Sequence, residues 1–163
     1  AAIGTAIANL TTRLGRAPTG WQSRYSPSLN TRRLISEHEV MLYDADSYAD
    51  DLPYWVDGTN GPRLVVPHTF THNDNRLPSG KLGTAADFYD HLSAAFRVLH
   101  TESAHRPRLM TVSLHPRISG QPARFEAIRN FLFDVGEHTD VWCASRGAVA
   151  RHWMAVHPHG GIA

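Results

Sequence analysis

Cysteine is nearly absent from this chain, and its scarcity excludes two kinds of site. Cys143 is the only cysteine, so an intrachain disulfide cannot form and a zinc site built from clustered cysteines is excluded. Secreted domains of this size often depend on disulfides. The sequence therefore favours a cytoplasmic protein.

Runs of positive charge and long apolar stretches are also missing. The 16 lysines and arginines nearly balance the 15 aspartates and glutamates, and the formal net charge is +1 at pH 7. This balance, with no basic run, argues against nucleic acid or an anionic membrane surface as a partner. No stretch approaches the roughly 20 apolar residues that span a bilayer, and the opening lacks the basic region of a signal peptide.

What is present suits a soluble α/β fold. The chain has 163 residues, of which 42% are apolar and 19% are charged, a composition typical of one globular domain. Helical and extended patterns alternate along it, which predicts a mainly parallel sheet with right-handed crossovers. The predicted strands are 19–24, 40–43, 63–66, 109–115 and 141–144. The predicted helices are 3–14, 29–37, 84–99, 125–135 and 146–156.

Polar side chains follow the predicted strands where each strand ends. In parallel α/β sheets the chemistry lies at the carboxyl ends of strands, which share one edge. We therefore expect one rim to collect acid–base and charged groups. The residues in these positions are Arg24, Asp44, Asp46, His68, His115 and Arg117.

His115 and Arg24 are the strongest catalytic candidates on this rim. His115 lies between a predicted buried strand and Pro116, and a histidine can give or take a proton near neutral pH. The alternative is a strand-end histidine that binds a backbone carbonyl. Arg24 can pair with a carboxylate, orient a catalytic acid or clamp a substrate carbonyl, and its alternative is a solvated surface arginine.

A cluster of carboxylates and two aromatic residues follows the second predicted strand. The carboxylates could bind a cation or position an amide-bearing substrate, but we expect at least two of them only to cap turns before Pro53. Tyr54 and Trp55 could form a pocket floor, although aromatic residues at such a turn more often pack. The carboxylates are Asp44, Asp46, Asp50 and Asp51.

His68 and His72 suggest a metal pair that the spacing disfavours. On an extended chain the two side chains face the same way roughly 13 Å apart, which is too far for one ion. A helical turn would bring them together, but Pro67 and the β-branched residues around it argue against a helix.

Several segments, taken in order, resemble the polysaccharide deacetylase (NodB-like) superfamily, in its allantoinase and cyclic imidase-like branch. The third motif of that family is similar to GWQSRYSP at 20–27, and its fourth region to YDADSYADDLPYW at 43–55. The last catalytic motif resembles LHPR at 114–117 with GQPAR at 120–124. Allantoinase-like members often have Cys where this chain has Pro116, so allantoin itself is not implied.

The resemblance implies the later portion of a distorted (β/α) barrel that hydrolyses a non-peptide C–N bond. The reaction would be amide deacetylation or the opening of a cyclic amide or ureide. By resemblance, His115 protonates the leaving nitrogen and Arg24 steadies the carboxylate that acts as base. The residues assigned to substrate binding are Asp46, Asp50, Asp51, Tyr54, Trp55, Asn73, Asp74, Arg76 and Arg117.

The family's base and metal-ligand segments have no counterpart in this sequence. We expect a partial NodB-like domain over 1–158 with a flexible tail at 159–163, completed by an amino-terminal half or a partner chain, and forming a homo-oligomer. The chain itself holds no predicted cofactor site, and a divalent metal such as zinc would use ligands upstream. The alternative is a non-catalytic α/β subunit or binding fragment that retains the fold.

Overall fold

The computed structural model describes residues 2–77, 79–80 and 83–160. It contains two compact units, Ala1–Pro67 with Ala144–Ala163, and His68–Cys143. The helices are α1 (Ala2–Leu14), α2 (Thr31–Ser36), α3 (Ala85–Ser103), α4 (Pro116–Ser119), α5 (Pro122–Gly136) and α6 (Arg146–Val156), with a 3-10 helix at Asp74–Arg76. The strands are β1 (Gly20–Trp21), β2 (Tyr43–Asp44), β3 (Tyr54–Val56) and β4 (Arg63–Val65).

The first unit is built on a four-stranded sheet in the order β1-β2-β4-β3. β1 pairs with β2 and β2 with β4 in parallel, whereas β3 runs antiparallel to β4. This arrangement confirms the predicted α/β class with a mainly parallel sheet. Strands β1, β2 and β4 lie within or next to the ranges that the sequence predicts, but β3 was not predicted, because its aromatic residues were interpreted as part of a turn.

Helix α6 covers the sheet through a small apolar core. Leu64, Val66 and Ala150 are buried there. At β1, a Cβ on Gly20 would collide with the Tyr43 ring. The Tyr43 ring of β2 therefore occupies the space that a side chain at position 20 would need. A glycine at this position is a packing requirement rather than a turn signal.

The second unit is mainly helical. Its core joins α3, α4 and α5, and its buried members are Leu77, Phe88, Leu92, Ile118, Ile128, Phe131 and Val135. Thr84 caps α3 by accepting a hydrogen bond from the Asp87 backbone, while the Asp87 side chain accepts from Thr84. This reciprocal cap confirms the helix start that the Thr84–Asp87 spacing predicts.

Two predicted strands are not formed. Within the described residues, 109–115 makes one parallel bridge, between Ser113 and Asn73, and 141–144 has no strand assignment. Both segments pack apolar side chains, among them Val112 and Val141, on the helical core. Their apolar character reflects that burial, and without a neighbouring ladder an apolar run does not become a strand.

Two further predictions fall partly on residues that are not described. The segment 73–83 is polar and rich in turn residues, which predicts a loop, and it includes residues 78, 81 and 82. The predicted tail at 159–163 includes residues 161–163, and all of these lie outside the described residues. The domain boundaries at 158 and 159 stay a prediction. None of the described helices combines the length and the apolar character that a bilayer-spanning segment needs.

Candidate active site

The buried Asp74 carboxylate binds His115 in the second unit. Asp74 is 0% exposed, and its Oδ1 lies 2.6 Å from Nδ1 of the His115 ring. Its Oδ2 accepts hydrogen bonds from the His115 backbone N–H at 2.7 Å and from the Ser119 hydroxyl at 2.5 Å. Both carboxylate oxygens are therefore satisfied although the group is out of water, as a buried charge requires.

Local backbone structure brings the two partners together. Asp74 begins a 3-10 helix that Asn73 caps through a hydrogen bond from the Asn75 backbone. The Asp74 N–H donates to the Ser113 carbonyl at 3.1 Å, and the Ser113 N–H donates to the His72 carbonyl at 2.8 Å. His115 then occupies the N-cap of α4, with Pro116 in the first turn. This parallel bridge, followed by a proline-led helix, holds His115 beside Asp74.

The pairing decides which nitrogen of His115 can react. A carboxylate oxygen accepts hydrogen bonds, so the Nδ1–H group of the ring donates a hydrogen bond to Asp74. The second nitrogen, Nε2, is then the one that can exchange a proton with a ligand. The His115 side chain keeps 37% of its surface exposed, which gives such a ligand access. The pair can hold the histidine ring in one orientation.

In the first unit, Asp46 and Arg24 lie in the loops that follow β2 and β1. Asp46 accepts hydrogen bonds from the Ser23 backbone and hydroxyl, each at 2.7 Å. The next residue, Arg24, is exposed, and its guanidinium lies 5.0 Å from the centre of the Tyr25 ring. Tyr25 has a φ of +68°, a conformation that non-glycine residues seldom adopt. The two loops after β1 and β2 are thus tied together, as strand ends on one rim would be.

The other carboxylates of this region make structural contacts. Asp44 is 4% exposed and binds the Arg32 guanidinium through two hydrogen bonds of 2.8 and 3.2 Å. The hydrogen bond to Asp44 raises the pKa of Arg32. Asp50 accepts from the backbone N–H groups of Asp51 and Leu52, which is turn capping. Asp50 and Asp51 are both exposed.

Tyr54 and Trp55 lie on β3 rather than in a turn. The Tyr54 hydroxyl lies 2.6 Å from the Ser47 hydroxyl. Trp55 packs on the core under α6, and its indole N–H donates to the His157 carbonyl at 2.7 Å. These contacts describe packing for Trp55, which is the alternative that the sequence left open.

The remaining predicted substrate contacts lie in the second unit. Asn73 serves as the cap described above. Arg76 extends over the Phe70 ring at 6.0 Å from its centre, and Arg117 is exposed on α4, two residues after His115.

Comparison with known proteins gives this geometry a context. No family model matches the chain. A Schizosaccharomyces pombe (strain 972) protein assigned to the polysaccharide deacetylases is 33% identical over 159 residues, which is 88% of this chain and 49% of that protein. The crystal structure of Puue allantoinase superposes with a TM-score of 0.90 at 40% identity, covering 96% of this chain and 53% of that one.

A second solved structure agrees. The probable polysaccharide deacetylase from Pseudomonas aeruginosa PAO1 gives a TM-score of 0.88 at 39% identity, over 94% of this chain and 52% of that chain. The chain belongs to the polysaccharide deacetylase (NodB-like) superfamily. Its α/β fold matches part of the barrel of these deacetylase-like relatives. The chain spans about half the length of the relatives it matches.

Within the described residues of this deacetylase-family chain, His68 and His72 do not belong to a group of three potential metal ligands. His68 and His72 are both 7% exposed, and the His72 ring contacts the His91 ring edge-on, with 5.4 Å between centroids. Among the described residues, the potential metal ligands that lie together are His100, His138 and Asp140.

Sequence reasoning missed two features of the site. It assigned Asp74 to substrate binding and did not pair it with His115, and it did not single out Ser119. Asp74 and His115 are 41 positions apart, so no local spacing connects them. The one available signal was that the family resemblance assigns Asp74 to substrate binding, together with Asn73 and Arg76.

Proposed function

We propose that this chain supplies the proton-donating part of a hydrolase that acts on non-peptide C–N bonds. The observation that carries the proposal is the buried Asp74 carboxylate bound to Nδ1 of a partly exposed histidine. The names of the relatives, polysaccharide deacetylase and allantoinase, support the same reaction class. The substrate class is a small-molecule or sugar amide, either an acetamide or a cyclic amide or ureide.

His115 acts as the general acid in this scheme. Water attacks the carbonyl carbon, a base outside this chain takes the water's proton, and Nε2 of His115 donates a proton to the leaving nitrogen as the C–N bond breaks. For that step the ring must carry a proton on both nitrogens. The Asp74 carboxylate stabilises this charged ring and fixes its orientation. We therefore assign Asp74 a positioning role, since both of its oxygens bind His115 or Ser119.

Arg24 is proposed to steady the carboxylate of the base. Its exposed guanidinium suits a partner supplied by another segment, because an arginine fork binds a carboxylate through two hydrogen bonds. By the resemblance, substrate binding by Asp46, Asp50, Asp51, Tyr54 and Trp55 of the first unit and by Asn73, Arg76 and Arg117 of the second stays a prediction.

A divalent metal that takes part in the reaction, such as zinc, would use ligands outside this chain. In the described structure Nδ1 of His115 is engaged by Asp74, and the group of three potential ligands consists of other residues. The residues around His115 therefore do not fit a metal centre, and no step of the proposed reaction passes through one. Because the chain matches about half of each relative, we also propose that an amino-terminal half or partner chain completes the site. A homo-oligomer in the cytoplasm stays a prediction.

The test is an activity screen of the complete assembly. Small cyclic amides, ureides and N-acetyl sugars are supplied with and without chelator, to wild type, His115→Ala and the matched control His105→Ala. We expect hydrolysis of one class, a loss of kcat of about 10²–10⁴-fold in His115→Ala, and wild-type rates in His105→Ala, whose side chain is exposed. An active His115→Ala would refute the acid role, and a complete assembly with no hydrolase activity would favour the non-catalytic alternative.

A further inference from the structure

A second group of ionisable side chains lies at the ends of α3 and α5. His100 is in the last turn of α3, and His138 and Asp140 follow the end of α5. Nε2 of His100 is 2.9 Å from Oδ2 of Asp140, and the two histidine rings have centroids 4.6 Å apart. One ligand atom from each of the three residues lies within 4.8 Å of the other two.

Aromatic packing holds the two histidines in place. The Phe96 ring stacks on His100 with 5.6 Å between centroids and contacts His138 at 5.0 Å. Phe96 in turn meets Phe131 of α5 edge-on at 6.3 Å. The group therefore depends on the contact between α3 and α5 and not on one flexible loop.

Backbone hydrogen bonds order the segment that carries His138 and Asp140. The His138 N–H donates to the Val135 carbonyl at 3.2 Å, and the Val141 N–H donates to the His138 carbonyl at 3.3 Å. These bonds form a turn around Asp140. Because these hydrogen bonds already restrict the backbone, less conformational entropy is lost when a ligand binds there.

Two imidazoles and one carboxylate make a ligand set for zinc. Zinc binds histidine nitrogen and carboxylate oxygen at about 2.0–2.2 Å, so ligand atoms of a tetrahedral site lie about 3.4 Å apart. The His100 Nε2 and Asp140 Oδ2 atoms are 2.9 Å apart and would have to move slightly away from each other. Ligand atoms separated by up to 4.8 Å would have to move closer together. Small side-chain rotations make both adjustments, and solvent can provide the fourth ligand.

The charge and hardness of the group favour zinc over calcium or magnesium. Imidazole nitrogen suits zinc and its transition-metal neighbours, whereas magnesium and calcium prefer oxygen ligands. The hydrogen bond from His100 lowers the pKa of Asp140, so the carboxylate is ionised at neutral pH. The His100 and Asp140 side chains are 30% and 66% exposed, which leaves an entry path for an ion.

We propose that His100, His138 and Asp140 form a zinc-binding site that clips the end of α3 to the segment after α5. None of these residues belongs to the Asp74–His115 pair, and the site does not depend on the proposed hydrolase activity. Bound zinc would replace the single hydrogen bond between His100 and Asp140 with three metal–ligand bonds. The expected consequence is greater stability of the helical unit.

The test is a zinc titration of the chelator-stripped full chain by calorimetry, with wild type, His138→Ala, Asp140→Asn and the control His105→Ala. We expect wild type and His105→Ala to bind one more zinc per chain than the other two variants, or to bind it at least 10-fold more tightly. Saturating zinc should raise the melting temperature of wild type by roughly 5 °C or more, and this increase should be lost in Asp140→Asn.

Asp140→Asn keeps the test decisive if His138→Ala fails to fold. Asp140 is exposed and asparagine preserves its size, so circular dichroism should show an unchanged fold. Cobalt added in place of zinc should give wild type the visible absorption of tetrahedral cobalt, and Asp140→Asn should lack it. Equal zinc affinity and stoichiometry in wild type and folded Asp140→Asn would overturn the proposal.

Discussion

Asp44 in the sheet unit and Asp74 in the helical unit are both buried, at 4% and 0% exposure, yet their partners differ. Asp44 binds the Arg32 guanidinium, which stays charged at every pH that a protein experiences. Asp74 binds His115, and an imidazole can pass a proton to a ligand during a reaction. Burial of a carboxylate therefore does not by itself mark a catalytic group. The partner decides whether the pair stabilises the fold or moves a proton.

The largest expected effect is on catalysis, through Asp74→Asn. Loss of the carboxylate removes the charge that stabilises protonated His115, so we expect kcat of the complete assembly to fall about 10³-fold. The measurement is the steady-state kcat of the folded variant. An equal loss of kcat in Asp44→Asn at the same folded fraction would contradict this assignment.

The next effect is on stability in the sheet unit. Arg32→Met leaves the buried Asp44 carboxylate without its guanidinium, and we expect a loss of about 2–3 kcal/mol. This is below the cost for a fully buried pair, because 40% of the Arg32 side chain is exposed. Urea unfolding measures it.

Arg33→Met is the matched control for that experiment. Arg33 pairs with Glu37 one helical turn away, and both side chains are about half exposed. Such surface pairs contribute about 0.3–0.5 kcal/mol. Equal losses in the two variants would show that burial of Asp44 does not matter.

Helix caps offer a smaller comparison between the same two units. Thr84 of α3 takes part in a reciprocal cap with Asp87, whereas Ser145 of α6 only accepts a bond from the Ala148 backbone. We expect Thr84→Ala to destabilise its helix by about 1 kcal/mol and Ser145→Ala by somewhat less. Hydrogen exchange of the two helices measures both, and a larger loss in α6 would contradict the argument.

The smallest expected effect concerns pH. The hydrogen bond from His100 lowers the pKa of Asp140 below its ordinary value. A lowered acid pKa gives stability that is present above the unfolded pKa and is lost as pH falls through the folded pKa. Asp140→Asn should therefore be slightly less stable than wild type at about pH 6, and the difference should shrink below about pH 4. A difference that grows in acid would reverse the sign and refute the assignment.

Much of the helical structure could be predicted from the sequence. The predicted bounds of α6 agree with the structure at Arg146–Val156, and the start of α3 follows from Thr84 and Asp87. Helix ends depend on residues three or four positions apart, which a sequence displays directly. The strands were harder, because 109–115 and β4 are both apolar and β-branched, and a ladder needs a neighbour that no local pattern reveals.

Some features of the candidate site could likewise be predicted from the sequence, and others could not. His115 and Asp46 were singled out because polar residues after strands meet at one rim. The sequence predicts turn capping for some of the four carboxylates, as Asp50 shows, but the pairing of Asp44 with Arg32 depends on the folded structure. The sequence left packing open for Trp55, and its indole bond to the His157 carbonyl joins residues 102 positions apart.

By itself, the sequence determined the residue types, the approximate positions of five of the described helices and the α/β class, since each of these depends on neighbours within a turn or on alternating patterns. Tertiary structure alone decided which carboxylate meets His115 and which side chains gather around His100, because those contacts join segments 41 and 40 positions apart. Short-range preferences carry no information about pairings at such separations. Packing of α3 against α5 and the bridge between Asn73 and Ser113 bring these residues together.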